Sequence, residues 1–245
     1  MVISVLFFLA IAALLTSALS AVLGMGGGLT LVGVMTVLLP AKDVVPLHGA
    51  VQLISNFTRV MVFLRHVYWK IFFIYAPSLI PGITLAAYLW SGSKLDGLKP
   101  FIGLFILAFL YWRHHKRKFK QLKLWVFVPV ALITGFLAIF VGAIGPFLAP
   151  FFLRDDLEKE QIIATKAICQ MWTHIFKIPA FLAFGFPYQD HVPLLLTLVA
   201  CVMMGTLLGK RLLSRIPQHV FIRLFEGVLG VLALYLVGDW LAALL

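Results

Sequence analysis

Two apolar stretches of the chain carry polar side chains at helical spacing, and these side chains could together hold an anion. In residues 44–65, the polar positions His48, Gln52, Asn56 and Arg59 recur every three or four residues. This spacing places all four on one face of an α-helix. Arg can grip an oxyanion through paired hydrogen bonds, and amide side chains can donate further ones. Because lipid offers such groups no partner, the stripe indicates a functional site.

The same stripe recurs in the second half of the chain. A shift of 118 residues lays 162–184 on the first stretch without a gap. We expect Arg59 and Lys177 to approach each other across a pseudo-two-fold axis with the anion between them, because two buried like charges repel strongly. The alternative is that both side chains extend to the membrane surface. The polar counterparts in the second stretch are Lys166, Gln170, His174 and Lys177.

The remaining members of the two stripes have two interpretations each. Gln52, Asn56 and Gln170 would donate amide hydrogens to the anion, or they form ordinary hydrogen bonds between helices. His48 and His174 are candidates for coupling proton movement to transport, since histidine titrates near neutral pH, and a plain hydrogen-bonded histidine is the alternative. We interpret Lys166, near the predicted helix start, as an interfacial lysine.

The composition is that of a helical membrane protein. Of the 245 residues, 62% are hydrophobic and 12% are charged, whereas soluble domains are about 45–50% apolar and about 25% charged. At about 20 residues per span, the chain has room for roughly eight to ten apolar segments. The net charge of +11 comes from basic residues in short loops between apolar runs. This distribution follows the positive-inside rule of membrane proteins, so the positive charge does not indicate a nucleic-acid partner.

The apolar segments follow the same order in both halves, which indicates an internal duplication. Five segments in a repeat is an odd number, so the second copy should be inverted in the membrane. The loops agree, because 185–190 has no Lys or Arg whereas 210–218 has three. The segments lie near 3–23, 28–39, 44–65, 71–90 and 99–112, and near 124–141, 145–153, 161–184, 191–209 and 219–238.

We therefore predict an all-α integral membrane protein made of two inverted repeats of about five helical segments each. The N-terminal transmembrane repeat is 1–112, the C-terminal transmembrane repeat is 124–245, and 113–123 is a basic cytoplasmic linker. The short segments that follow Gly24 and Gly142 should lie near the bilayer midplane. Short spans interrupted by Gly or Pro at matching places in two repeats are the strongest sequence indication of a transporter site.

Glycine-rich breaks precede these two short segments. Glycine allows sharp turns, and the free N–H groups of the helix that follows can bind an anion. We expect the breaks to complete the anion site together with the two stripes. The predicted binding residues are Gly26, Gly27, Gly28, Gln52, Asn56, Arg59, Gly145, Gln170, His174 and Lys177, with His48 and His174 as proton-coupling candidates.

These pieces resemble the sulfite exporter TauE/SafE family of transporters, and the resemblance covers nearly the whole chain. It implies transport of small sulfur-containing or carboxylated anions, such as sulfite or organosulfonates, across the inner membrane. The second copy departs from the family pattern, with Ile144 and Pro146 where many members carry glycines. The matching pieces are Gly24-Met-Gly-Gly-Gly-Leu29, Val45-Pro-Leu-His-Gly-Ala-Val-Gln-Leu53, Gly135-Phe-Leu-Ala-Ile-Phe-Val-Gly142, Gly145-Pro146 and Ala164-Thr-Lys-Ala167.

The expected function is secondary transport of a small anion by alternating access, in a multi-pass protein of the bacterial inner membrane. A membrane-embedded enzyme and a non-transporting membrane scaffold are the alternatives. Because no nucleotide-binding or hydrolase motif occurs, we expect neither an enzyme nor a cofactor or metal. The expected partners are the anion, membrane lipids and a coupling ion such as a proton. The sequence leaves open the anion, the direction, the coupling ion and whether the chain forms a homodimer.

Overall fold

A computed structural model describes residues 3–90 and 122–242, and between them residues 104, 106–108, 110, 111 and 114. Within 3–90 and 122–242 the chain forms nine α-helices and no strand, as an all-α fold requires. The helices are α1 (Ile3–Leu23), α2 (Gly27–Leu38), α3 (Ala41–Val62), α4 (Trp69–Leu89), α5 (Phe127–Phe140), α6 (Gly145–Phe152), α7 (Lys159–Ala183), α8 (Val192–Leu213) and α9 (Gln218–Ala242).

The predicted segment 99–112 and linker 113–123 lie mostly outside the described residues. The residues described between 104 and 114 are each helical, including His114, which belongs to the predicted linker. Elsewhere the predicted segments match the helices to within a few residues. The largest differences are at the ends of α8 and α9, which lie four residues beyond the predicted ends. Helix α3 begins three residues earlier than predicted, at Ala41, directly after Pro40 in extended backbone. It also ends at Val62, where a 3₁₀ turn follows.

Four of the described helices are long and apolar enough to cross a membrane: α1, α4, α8 with the turn before it, and α9. Their outward faces carry large exposed hydrophobic side chains, which acyl chains of lipid would cover. Helices α3 and α7 are not among the four, because their polar stripes lower their hydropathy. The stripe residues are buried inside the protein, except Gln170, which is half-buried. Exposed members of the outer belt include Phe7, Leu15, Phe73, Tyr88, Leu207 and Val231.

Glycines let the outer helices pack closely in two places. A Cβ atom on Gly82 of α4 would collide with the carbonyl of Leu132 on α5, and one on Gly135 would collide with the backbone of α4. On the other side, Gly205 and Gly209 of α8 pack directly on the backbone of α1. Small residues at such crossings are typical of membrane helix pairs. The most extensive contacts, α1 with α8, α4 with α5 and α3 with α7, therefore join the two halves of the chain.

Helices α3 and α7 run antiparallel through the centre. Near the start of α3, the rings of His48 and His174 lie 6.4 Å apart between centroids. Just beyond its end, the Tyr68 N–H donates to Oγ1 of Thr165, which lies near the start of α7, at 2.9 Å. The end of α3 therefore packs beside the start of α7.

The basic loops gather at one end of the molecule, which we call the basic end. There, Lys210 Nζ donates to the Val62 carbonyl at 3.3 Å. Lys159 Nζ donates to the carbonyls of Leu213 and Ile216. Arg154, between α6 and α7, donates from Nη1 to the Leu122 carbonyl at 2.6 Å. The start of α3 and the end of α7 lie at the opposite end.

The two cysteines lie on central and outer helices. Cys169 of α7 is buried and Cys201 of α8 is half-buried, and both are free thiols. Cys169 packs in the hydrophobic core, and Cys201 packs against a second cluster of buried apolar side chains. Both therefore pack as small hydrophobic residues, as free cysteines commonly do.

Candidate functional site

A polar cavity lies where the two glycine-rich breaks meet the facing stripes of α3 and α7. The volume of this cavity is about 20 Å³, which is enough for about one water molecule. Most of the predicted site residues are thus brought together around one small space. The polar and glycine residues lining it include Gly24, Gly26, Gly28, His48, Gln52, Arg59, Gly142, Gly145, Lys166, Gln170 and His174.

Arg59 is buried, with 3% of its surface exposed, and is held by its own helix. Its Nη1 donates to Oδ1 of Asn56 at 2.9 Å, and its Nη2 donates to Oγ of Ser55 at 3.0 Å. The Nε atom has no hydrogen-bond partner among the residues that the structure describes. A buried guanidinium donor without a partner is costly, so Nε is a position where an anion or a water would be stabilised.

Three hydroxyl groups, those of Ser17, Ser55 and Thr206, form a hydrogen-bonded cluster next to Arg59. Ser17 of α1 contacts Ser55 Oγ at 3.1 Å and Thr206 Oγ1 at 2.9 Å. Ser17 also donates to the Val202 carbonyl of α8 at 2.8 Å. The position of Arg59 is therefore coupled through Ser55 to the packing of α1 on α8.

Lys166 is the functional candidate that the sequence analysis left out of the site. It is only 1% exposed, and its Nζ donates to the Gly24 carbonyl at 2.8 Å and to Oε1 of Gln170 at 3.2 Å. The interpretation as an interfacial lysine is therefore wrong, because the side chain turns inward to the first glycine-rich break. The 118-residue shift, which pairs Lys166 with the candidate His48, was the signal that could have identified it.

The electrostatics of the cavity favour an anion. Arg59 and Lys166 both line it, and two positive charges in one buried space repel each other. Of the described residues that line the cavity, none is Asp or Glu. Placing one Arg or Lys at the centre of a membrane helix costs about 2.5–3.5 kcal/mol. Two uncompensated cations in one space therefore call for a negatively charged occupant, whereas no group of three or more metal-ligating side chains occurs among the described residues.

Two matched glycines leave room beside the polar side chains. A Cβ atom on Gly28 would lie 3.3 Å from Nε2 of Gln52, and one on Gly145 would lie 3.2 Å from Nε2 of Gln170. Helices α2 and α6 begin at these breaks, so their first backbone N–H groups add positive potential near the cavity. Gly26 precedes α2 with a φ of 89°, a conformation that side chains rarely adopt.

The structure places Gly27, Asn56 and Lys177, which we also predicted to bind the anion, away from the cavity lining. Gly27 faces α1, where a Cβ atom would collide with the Thr16 carbonyl. Asn56 does not offer its amide to the cavity, because its Nδ2 donates to the Gln52 carbonyl at 2.8 Å. Asn56 therefore positions Arg59, whereas we expected it to donate to the anion.

Lys177 is not the partner of Arg59 that we expected. Its side chain packs on Gly49, near the start of α3, and it is not among the residues that line the cavity. Because α3 and α7 are antiparallel, Lys177 near the end of α7 meets the start of α3. The cation that shares the cavity with Arg59 is consequently Lys166, near the start of α7.

His48 and His174 form the wall of the cavity on the side of Lys177. Nε2 of His48 lies 2.9 Å from the Gly28 carbonyl, and the two rings meet edge to face. Each histidine has an Nδ1 atom that is buried and lacks a partner among the described residues. A buried nitrogen of this kind normally has a hydrogen-bond partner, so both atoms are places where a ligand or a water could form one.

Comparison with known proteins identifies one family. The model of the family described as sulfite exporter TauE/SafE matches residues 9–236 of the chain. This range includes both glycine-rich breaks, both polar stripes and all nine helices in whole or in part. No curated protein and no solved structure matches the chain.

Proposed function

Because the chain belongs to the sulfite exporter TauE/SafE family, we propose that it is a secondary transporter of a small anion, such as sulfite or an organosulfonate. The family and the apolar helices make it an integral membrane protein of a transporter family. The membrane in which it acts is, on this proposal, the bacterial inner membrane. The observation that carries the proposal is the cavity with Arg59 and Lys166 and no acidic lining residue among those described.

In this proposal the anion lies between Arg59 and Lys166. The unpartnered Nε of Arg59 donates to one oxygen, and Lys166 leaves the Gly24 carbonyl to bind the anion as a point charge. Gln52 and Gln170 supply amide donors from the two helices. Gly26, Gly28 and Gly145 keep the helix starts accessible to the anion, because a side chain there would fill or strain the site.

The packing of the helices supports an inverted repeat. The 118-residue shift relates α1 to α5 and α4 to α8, so the contact of α1 with α8 corresponds to the contact of α5 with α4. Helix α3 corresponds to α7, and these two contact each other. An in-plane two-fold axis through the α3–α7 contact would produce this exchange. We propose repeats at 1–112 and 124–245, joined by a basic cytoplasmic linker at 113–123.

Transport by alternating access requires that this cavity change size. Its present volume of about 20 Å³ accommodates about one water, whereas sulfite has four heavy atoms. Binding must therefore move α2 or α6 relative to the central helices. The glycine-rich breaks at Gly24–Gly28 and Gly142–Gly145 are the places where the backbone can absorb this movement. His48 and His174 are the candidates for coupling a proton to it.

The proposal is tested by flux of ³⁵S-labelled sulfite into proteoliposomes. Arg59→Ala and Lys166→Ala should each lower the initial rate at least a hundredfold, because each removes one of the two positive charges that bind the anion. Lys70→Ala, a lysine on the exposed surface of α4, is the matched control and should transport at the wild-type rate.

Flux that is unchanged in both Arg59→Ala and Lys166→Ala would exclude the anion site. A non-transporting scaffold predicts no sulfite flux above that of empty liposomes. A membrane-embedded enzyme predicts chemical change of the anion without net movement, which product analysis of the same vesicles would detect.

A further inference from the structure

A second, larger space opens at the end of the molecule opposite the basic end. Its volume is about 510 Å³, compared with about 20 Å³ for the cavity. We call it the vestibule. Its charged lining residues are Lys42, Asp43 and Asp190. Its aromatic lining residues are Trp90, Phe140, Phe181, Phe184 and Phe186.

Only a thin partition separates the vestibule from the cavity. Pro46 lines the vestibule, and two residues later His48 lines the cavity. Phe140 lines the vestibule, and two residues later Gly142 lines the cavity. On α7, Phe181 lines the vestibule, and two turns before it His174 lines the cavity. Three separate segments thus pass from one space to the other within two turns of helix or less.

Lys177 lies in this partition. It is 1% exposed, its Nζ is 6.0 Å from the centroid of the Phe181 ring, and its side chain packs on Gly49, the residue after His48.

His48 and His174, 2% and 3% exposed, are the two histidines whose Nδ1 atoms lack a partner among the described residues. Lys177 and the imidazole of His174, whose Nδ1 can carry the ring proton, therefore offer donors to a second negative charge. His48 already donates from Nε2 to the Gly28 carbonyl, so its Nδ1 becomes a donor to an anion only when the ring gains a second proton.

We propose that Lys177, His48 and His174 form a second anion station, which holds a small oxyanion between the vestibule and the cavity. This inference rests on the proposed function, because it assigns the path that the transported anion takes. An anion from the vestibule first meets Lys177, then passes the two histidines and reaches Arg59 and Lys166.

The antiparallel helices give the two stations matching construction. Each has one basic or imidazole group from α3 and one lysine from α7: His48 with Lys177, and Arg59 with Lys166. The two positions on each helix are eleven residues apart, or about 16 Å along the axis. This is the separation of the backbone positions, since the side chains of His48 and Arg59 both reach the cavity. Several moderate sites in series allow an ion to enter and also to leave.

The test counts the anions bound to the purified full-length chain. Equilibrium dialysis with ³⁵S-sulfite under nitrogen should give two sulfites per chain at saturation for the wild type. Lys177→Gln should give one, Lys166→Gln should give one, and Lys177→Arg, which keeps the charge, should give two. A single elution peak on size exclusion identifies variants that remain folded.

The two proposals fail in different ways. One sulfite in the wild type, retained in Lys177→Gln and lost in Lys166→Gln, would overturn the second station and leave the cavity site intact. No sulfite bound to the wild type would overturn the proposed function itself. If Lys177→Gln does not fold, His174→Gln replaces it: the second sulfite should then bind at least tenfold more weakly, and unchanged binding of both sulfites would overturn the station.

Discussion

Arg59 and Asn56, one turn apart on α3, are joined by a hydrogen bond of 2.9 Å from the guanidinium Nη1 to the amide oxygen. The other end of the amide is bonded to the backbone of the same helix. Asn56 therefore acts on an anion only through Arg59, as a positioning residue. This relationship separates the role of charge from the role of geometry in the site.

Replacing Asn56 by Ala should weaken anion binding without removing a charge. A hydrogen bond to a charged group contributes about 1.5–3 kcal/mol, so we expect the KM for sulfite to rise about ten- to hundredfold. Flux at saturating sulfite should fall much less, since Arg59 can still reach a bound anion. A fall in maximal flux with an unchanged KM in proteoliposomes would contradict the positioning role.

Replacing Asn56 by Asp should have a stronger effect than Ala. The carboxylate has nearly the same shape and neutralises the charge of Arg59, although it loses the hydrogen bond that the amide donates to the Gln52 carbonyl. We therefore expect no saturable sulfite flux from Asn56→Asp. Flux equal to that of Asn56→Ala would show that the net charge of the cavity is unimportant.

A methyl group at either matched glycine should block the site while leaving the fold intact. The Cβ of Gly28→Ala or Gly145→Ala would press on the amide of Gln52 or Gln170, at 3.3 Å and 3.2 Å. We expect sulfite to bind at least tenfold more weakly, measured by dialysis. Gly33→Ala on α2 is the matched control, because nothing lies within 4 Å of its added Cβ, and its binding should equal that of the wild type.

The contact between α4 and α5 should tolerate no side chain at Gly135. A Cβ there meets the backbone nitrogen of Ile83 at 2.9 Å, so α4 must shift, and overpacking costs about 1–3 kcal/mol. The melting temperature of Gly135→Ala in detergent should therefore fall by several degrees. Gly227→Ala, which adds its Cβ in open space on α9, should leave it unchanged or raise it. A melting temperature of Gly135→Ala equal to the wild type would show that the helices are not in close contact.

The loop between α6 and α7 should contribute stability that depends on pH. Arg154 donates to both carboxylate oxygens of Asp156, at 2.8 Å and 2.7 Å, and this pairing holds the pKa of Asp156 below its ordinary value. A lowered folded pKa means that the stabilisation is complete above the unfolded value of about 3.9 and is lost as the pH falls through the folded value.

Asp156→Asn should therefore melt at a lower temperature than the wild type at pH 7, and the difference should shrink below about pH 4. Glu160→Gln is the control, because Glu160 and Lys159 form a longer ion pair of 3.6 Å of the kind that contributes about 0–1 kcal/mol. A difference between Asp156→Asn and the wild type that is constant from pH 7 to pH 3 would contradict the role of the charge.

The polar stripes of α3 and α7 could be predicted from the sequence, but the contacts between them could not. The shift of 118 residues identifies Lys177 as the counterpart of Arg59, and we expected counterparts to face each other. In antiparallel helices only residues at the crossing point meet their own counterparts. Positions on either side of it meet in reverse order, which brings Arg59 to the cavity with Lys166 and brings His48 close to Lys177.

Two further features depended on local bonding that spacing does not reveal. Asn56 lies on the same helical face as Arg59, and the sequence could not show that its amide bonds to its own helix. Gly27 belongs to the same run as Gly26 and Gly28, and only the turn of the chain after Gly26 directs it toward α1. The helix positions themselves were predictable, because long apolar runs bounded by glycine, proline or basic residues leave few alternatives.

Cys169 is buried and Cys201 is half-buried in apolar surroundings, so the native cysteines should react little with water-soluble thiol reagents. Water-soluble maleimides react with a thiolate, and neither side chain presents one to water. A single reporter cysteine placed in a loop can therefore be labelled selectively, without first removing the native pair. Labelling such reporters from one side of sealed vesicles would map which loops face each compartment.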